Sequence, residues 1–215
     1  LFRSAISFYG EPEKNFSLTT EQHEKIDVKK YTTIKKLEDL EFWIKSAEES
    51  GEIVVDTETN SLNPHEAVLV GISLCIKAGK ACYIPLEHSS NKTLDKKKVL
   101  EKLKPLFEDN SVKKIGQNIK YDYIVLFHHG INLNPIDDTM LMSYSLDAGS
   151  HRHNMDSLSE IHLGHKTITY KDVAGSGTNK ISFKQVPINK ATEYSAEDAD
   201  VTFRLYKIFL IINTR

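Results

Sequence analysis

The sequence predicts an α/β domain in which a mixed sheet is covered by helices. Three observations carry this expectation. Runs rich in β-branched and apolar residues fall close together at Ile53–Val55, Ala67–Ile76 and Ala81–Leu86, the last two joined by the turn Ala78-Gly79-Lys80, and they read as an antiparallel meander. Helical periodicities then alternate with a further short strand pattern at Val112–Gly116. A long helical pattern from Pro187 to Ile211 closes the chain. Strands first, followed by alternating helix and strand, favour helices layered on one sheet.

Taken in order, residues 1–27 are weakly patterned and read as a linker or the tail of a preceding region, with the folded domain spanning 28–215. Ile34, Leu37, Leu40, Ile44 and Ala47 recur at helical spacing, and Gly51 can close that helix. After the meander, a helix from about Asp95 to Phe107 turns Val99, Leu100, Leu103 and Leu106 inward. Further helices are expected at Asn118–His129, Asp138–Leu146 and Met155–Leu163, the last with Asn154 as its cap. Residues 164–186 read as irregular. Pro187 suits the opening of the final helix.

Bulk composition narrows the function. The chain has 215 residues, 40% hydrophobic and 27% charged, with net charge -2, so it lacks the basic sheath of a broad nucleic-acid footprint. Any nucleic-acid contact should be local and cation-assisted. The only cysteines, Cys75 and Cys82, lie in apolar runs and read as reduced core residues of a cytoplasmic protein. No segment is apolar for long enough to span a membrane. A monomer is expected.

The chemistry-bearing residues recur in three places. Asp56 and Glu58 sit two apart at the exit of the Ile53–Val55 strand, so an extended backbone puts both carboxylates on one side. Such acids repel unless a proton or a cation lies between them. Asn118 and Asp122 are four apart at the start of a helix that follows a strand. Tyr194 and Asp198 are four apart on the last helix, on a face continued by Val201 and Leu205. Four acids at strand ends and helix faces can converge on one cleft, and an all-oxygen set suits Mg²⁺ or Mn²⁺. Glu193, Glu197, Asp200 and Arg204 fall on another face of that helix and read as a solvated charged surface with an Asp200–Arg204 pair.

In that order, Asp56-x-Glu58, Asn118-x-x-x-Asp122 and Tyr194-x-x-x-Asp198 resemble the three motifs of the DEDD 3′–5′ exonucleases, in the subgroup with tyrosine in the third motif. Asp138-Thr139-Met140-Leu141, Met155-Asp156-Ser157-Leu158, His165-Lys166-Thr167-Ile168-Thr169 and Glu197-Asp198-Ala199-Asp200-Val201-Thr202 extend the resemblance to the proofreading domain of bacterial DNA polymerase I, over residues 28–207. The resemblance implies a ribonuclease H-like fold with a central five-stranded mixed sheet. It implies release of 5′-mononucleotides from a single-stranded DNA 3′ end with two divalent cations, Mg²⁺ or Mn²⁺, and a polymerase domain in the parent chain. Asp56, Glu58 and Asp198 would hold one cation, Asp56 and Asp122 the other, and Tyr194 would orient the attacking water. Leu62 would wedge against the terminal base, and Gln117, Asn118, Tyr121, Arg152 and Tyr170 would line the strand's path. Tyr170 stands where phenylalanine is familiar, and keeps an aromatic face for base stacking. Two other readings share these motifs: an RNase D-like exoribonuclease, and a catalytically silent scaffold beside a polymerase.

Overall fold

The computed structural model describes residues 25–90 and 93–213. Most of the expected linker lies outside the described residues. Six strands form one mixed sheet: β1 (Thr32–Thr33), β2 (Glu52–Thr59), β3 (Leu69–Lys77), β4 (Lys80–Pro85), β5 (Lys113–Gly116) and β6 (Ile136–Asp138), in the order β1-β4-β3-β2-β5-β6. The β2–β3–β4 meander is antiparallel, as the sequence led us to expect, while β1, β5 and β6 add in parallel to β4, β2 and β5. The fold class is the expected one, with six strands instead of five. The strands with no signal of their own are β1 and β6, each at a sheet edge and too short for period-two alternation.

Among the described residues seven α-helices flank the sheet: α1 (Leu40–Ser50), α2 (Lys96–Glu108), α3 (Lys120–Phe127), α4 (Thr139–Leu146), α5 (Met155–Leu163), α6 (Tyr170–Ala174) and α7 (Ile188–Asn213). Alternation along β2 splits its side chains between two cores. Ile53 and Val55 pack with Leu40 and Trp43 of α1, Leu103 and Phe107 of α2, and Val125 and Leu126 of α3. Val54 faces the opposite way, onto Ala196, Ala199 and Phe203 of α7. Val201 and Leu205 of α7 pack on Leu158 of α5. The small residues Ala196 and Ala199 let α7 lie close to the sheet, at the exit of β2.

Four expectations need correction. Ile34 does not open α1. Its N–H bonds the Tyr83 carbonyl and extends the edge pairing, so a 3₁₀ turn at Leu37–Asp39 leads into the helix instead. Asn118 is not on the first turn of α3 and shares no helix face with Asp122. It takes the left-handed conformation at φ 60°, where Asp138 accepts the N–H groups of Asn118 and Ile119. The charged face of α7 is not solvated. Glu197, Asp200 and Arg204 are buried, and Asp200 accepts from Tyr31 Oη (2.8 Å), the Gly79 N–H (2.8 Å) and Arg204 Nε (3.0 Å). Burial of these groups is tolerated because the carboxylate is fully partnered. Residues 164–186 are not irregular throughout: they hold α6 and a 3₁₀ turn at Phe183–Gln185 that buries Phe183.

Gly71 is fixed by close approach. A Cβ at this position would stand 2.1 Å from Tyr83 Oη and 2.3 Å from Tyr83 Cζ. Gly71 pairs with Glu58 across the sheet, so the Tyr83 ring is laid over the strand beside the acid. Gly71→Ala should therefore cost about 1–3 kcal/mol of stability by overpacking. Urea unfolding checks this; an unchanged midpoint would contradict the close approach.

Candidate active site

The exit of β2 gathers the acids. Asp56 and Glu58 point to the α7 side, the side that Val54 occupies. Asp56 faces Ser73 across the β2–β3 ladder, and Ser73 Oγ donates to Asp56 Oδ2 at 3.1 Å. Glu58 Oε1 accepts from Ser195 Oγ of α7 at 2.6 Å. Asp122, in the first turn of α3, comes from the other layer. Its Oδ1 accepts from both Thr57 N (2.8 Å) and Thr57 Oγ1 (2.6 Å). Three consecutive residues of one strand thus carry or hold three carboxylates. Asp198, one helical turn beyond Tyr194, adds a fourth. Glu58 and Asp122 are buried, while Asp56 and Asp198 are half-buried and open the group to solvent.

Electrostatics follow from this crowding. Burial, partly offset by the Ser73 hydrogen bond, pushes Asp56 up from 3.8 to about 6. Burial, then the charge of Asp56, hold Glu58, Asp122 and Asp198 well above the carboxylate range. Burial and the charges of Asp198, Glu58 and Asp56 hold the Tyr194 phenol far above its usual value, so it keeps its proton through the physiological range. The ion pairs of the described residues lie elsewhere and none involves these four acids. Four acids, one raised by burial and three by burial and the charge of Asp56, offset only by hydroxyls and amides, fit a hard divalent cation. Among the described residues, no three His, Cys, Asp or Glu side chains are already arranged as a metal-ligand group. The carboxylates rest on Ser73, Ser195 and Thr57 instead.

The anticipated substrate residues are more varied. Leu62, on the loop after β2, is 97% exposed. Arg152 and Asn118 are exposed, the former on the loop between α4 and α5. Tyr170 opens α6, stacks on Phe183 at 6.1 Å and meets Tyr194 edge-on at 6.4 Å, with Lys180 Nζ 5.4 Å from its ring centre. The polar ends of the other two are engaged within the protein. Gln117 Nε2 donates to the His153 carbonyl at 2.8 Å, and Thr139 Oγ1 donates to Gln117 Oε1. Tyr121 Oη donates to the Ser61 carbonyl and contacts Thr59 Oγ1, fixing the loop that presents Leu62. Sequence reading missed Thr57, Ser73, Tyr83, Phe183 and Ser195. Only Ser73 carried a signal, a lone polar residue in an apolar strand directly across the sheet from Asp56.

The mixed sheet and the helices that flank it form a ribonuclease H-like fold. The fold is shared with Escherichia coli RNase D, an exoribonuclease (TM-score 0.63, 18% identity, 84% of this chain and 44% of that one), and with Brucella melitensis NrnC with bound Mg²⁺ (TM-score 0.58, 22% identity, 84% and 78%). A family model described as 3′–5′ exonuclease matches residues 31–211, and the chain belongs to this family. It is 45% identical over 198 residues to DNA polymerase I of Rhizobium leguminosarum, covering 83% of this chain and 20% of that protein. The chain spans about a fifth of the length of the polymerases it matches. Among the described residues no helix is long and apolar enough to cross a membrane.

The raised Asp56 pKa has a signed consequence for the metal-free protein. The folded state binds this proton more tightly than the unfolded chain, so no penalty exists below about pH 4 and the full penalty is present above about pH 6. Asp56→Asn should match wild type in stability near pH 4. It should exceed wild type by up to about 3 kcal/mol at pH 7.5 in chelator. Paired denaturant melts across pH check this, and a difference independent of pH would contradict the raised pKa that burial gives Asp56.

Proposed function

We propose that this exonuclease domain hydrolyses phosphodiester bonds at a single-stranded or frayed DNA 3′ end, releases 5′-mononucleotides with the help of two divalent cations, and serves as the proofreading module of a DNA polymerase I-like protein. The cluster of four mutually repelling acids beside a protonated tyrosine carries this reading. Preference for DNA rests on the 45% identity to a DNA polymerase I, against 18% to RNase D. A chromosomal substrate implies action in the cytoplasm.

Asp56, Glu58, Asp122 and Asp198 would hold the cations. When bound, these supply the positive charge an in-line displacement needs at its attacking and leaving oxygens and make water acidic enough to attack near neutral pH. Ser73, Ser195 and Thr57 fix the carboxylate rotamers beforehand, which limits reorganisation during the reaction. Tyr194 keeps its proton, so its hydroxyl orients water and does not act as the base. Leu62 and Tyr170 offer apolar and aromatic faces to unstacked bases, which a paired end reaches only after unpairing.

Single-turnover digestion of matched DNA and RNA oligonucleotides, as single strands and as paired or mismatched 3′ ends, tests the proposal. Single-stranded and mismatched DNA should be cut fastest; faster cutting of RNA would favour the RNase D-like reading, and no cutting with Mg²⁺ the silent scaffold. Asp198→Ala should lose several orders of magnitude in rate together with cation affinity. Tyr194→Phe should lose about 10- to 1000-fold, the range of a misplaced reacting group, with affinity kept. A flat pH profile in Tyr194→Phe would instead make the tyrosine the base.

A further inference from the structure

Glu197 stands next to Asp198 on α7 but turns away from the acid cluster. Its side chain is 1% exposed, and both oxygens are used. Oε2 accepts the Ile168 N–H at 2.6 Å, and Oε1 lies 2.9 Å from His165 Nε2. Both partners belong to the segment 164–169, which has no helix or strand of its own. The segment is also tied to α5: Ser159 Oγ donates to the His165 carbonyl (2.8 Å) and Thr167 Oγ1 to Asp156 Oδ1 (2.7 Å). The segment ends at Thr169, which caps α6 and so sets where Tyr170 begins.

Between this segment and α7 lies a cleft of about 260 Å³, lined by Asn154, Ile168, Thr169, Tyr170, Tyr194 and Asp198. One wall carries Tyr194 and Asp198. The other carries Ile168, Thr169 and Tyr170. We propose that Glu197 is a positioning residue for the substrate: by holding the 165–168 backbone against α7 it sets the width of this cleft and the placement of the Tyr170 ring over the departing 3′ nucleotide. The inference rests on the reading of this cleft as the substrate site. Adjacent residues on a helix point about 100° apart, so Asp198 faces the cleft while its neighbour fixes the opposite wall. A carboxylate suits the task because it takes a backbone amide and an imidazole at once, in a buried site where each bond is strengthened.

The test uses the whole chain, with wild type, Glu197→Ala, Glu197→Gln, His165→Gln, Tyr170→Ala and the Glu197→Ala/Tyr170→Ala pair. Steady-state cleavage of a short single-stranded DNA gives KM and kcat, and amide exchange of residues 165–172 reads the segment without substrate. Glu197→Ala should raise KM about tenfold or more, the size of one lost charge-assisted hydrogen bond, and change kcat far less. It should also speed exchange across the segment. Glu197→Gln, which keeps an acceptor for Ile168, should recover most of both. If Glu197 acts through the ring, the double variant should bind no worse than Tyr170→Ala alone. His165→Gln is a milder variant, should Glu197→Ala fail to fold, and should move KM the same way by about threefold, the loss of part of one such bond. An unchanged KM in Glu197→Ala and His165→Gln with an active wild type would overturn the inference alone. So would fully additive losses in the pair. A wild type that cleaves no single strand would sink the substrate reading beneath it, whatever the exchange data show.

Discussion

Mutual repulsion among four carboxylates at the exit of β2 is the constraint on which the rest of the structure depends. Asp56, Glu58, Asp122 and Asp198 arrive from one strand and two helices on opposite faces of the sheet. Left alone in a buried cleft, such a group would spread or protonate. Here the neighbouring elements hold it together: Ser73 on β3, Thr57 on β2 itself and Ser195 on α7 each donate a hydroxyl to one acid. The meander is needed for the first of these contacts, α3 for the second and α7 for the third. The architecture thus keeps a destabilising arrangement in place, as proteins do where a local rule is broken at a functional site.

The long helix α7 serves three purposes with neighbouring residues. Ala196 and Ala199 let it approach the sheet; Tyr194, Ser195 and Asp198 face the acid cluster or its cleft; Glu197 and Asp200 hold, respectively, the segment before α6 and the β3–β4 turn. Two buried acids held by hydrogen-bond donors therefore flank one that sits among other acids. The difference lies in the partners. Asp200 has Arg204, Tyr31 and a backbone amide, whereas Asp198 has its tyrosine and other acids.

Much of this was legible in the sequence. The meander was visible because its strands are long and apolar, and Asp56 and Glu58 share a face because side chains alternate along a strand. Tyr194 and Asp198 could be paired from helical spacing. What escaped had physical reasons. Two-residue β1 and three-residue β6 leave no periodicity to detect. Asn118 has helical spacing to Asp122, yet the N–H acceptor Asp138, twenty residues away, decides its left-handed conformation. Glu197 and Asp200 look solvated because charge usually is; that a segment 29 to 32 residues earlier and a distant turn supply their partners is a tertiary fact. Gln117 and Tyr121 were legible as members of the motif region, but not the internal bonds that engage their polar ends.

Proton release on cation binding tests the central claim most directly. If the acids are held protonated by burial and by one another, a cation that enters must displace protons. Calorimetric titration of the metal-free chain with Mn²⁺, repeated at pH 6.5 in buffers of different ionisation enthalpy, counts them. The account predicts release of about one proton or more per protein at this pH, declining as pH rises, and abolished with the binding itself in Asp56→Ala. Tight binding with no proton released at any pH would show the carboxylates already ionised, and would contradict it.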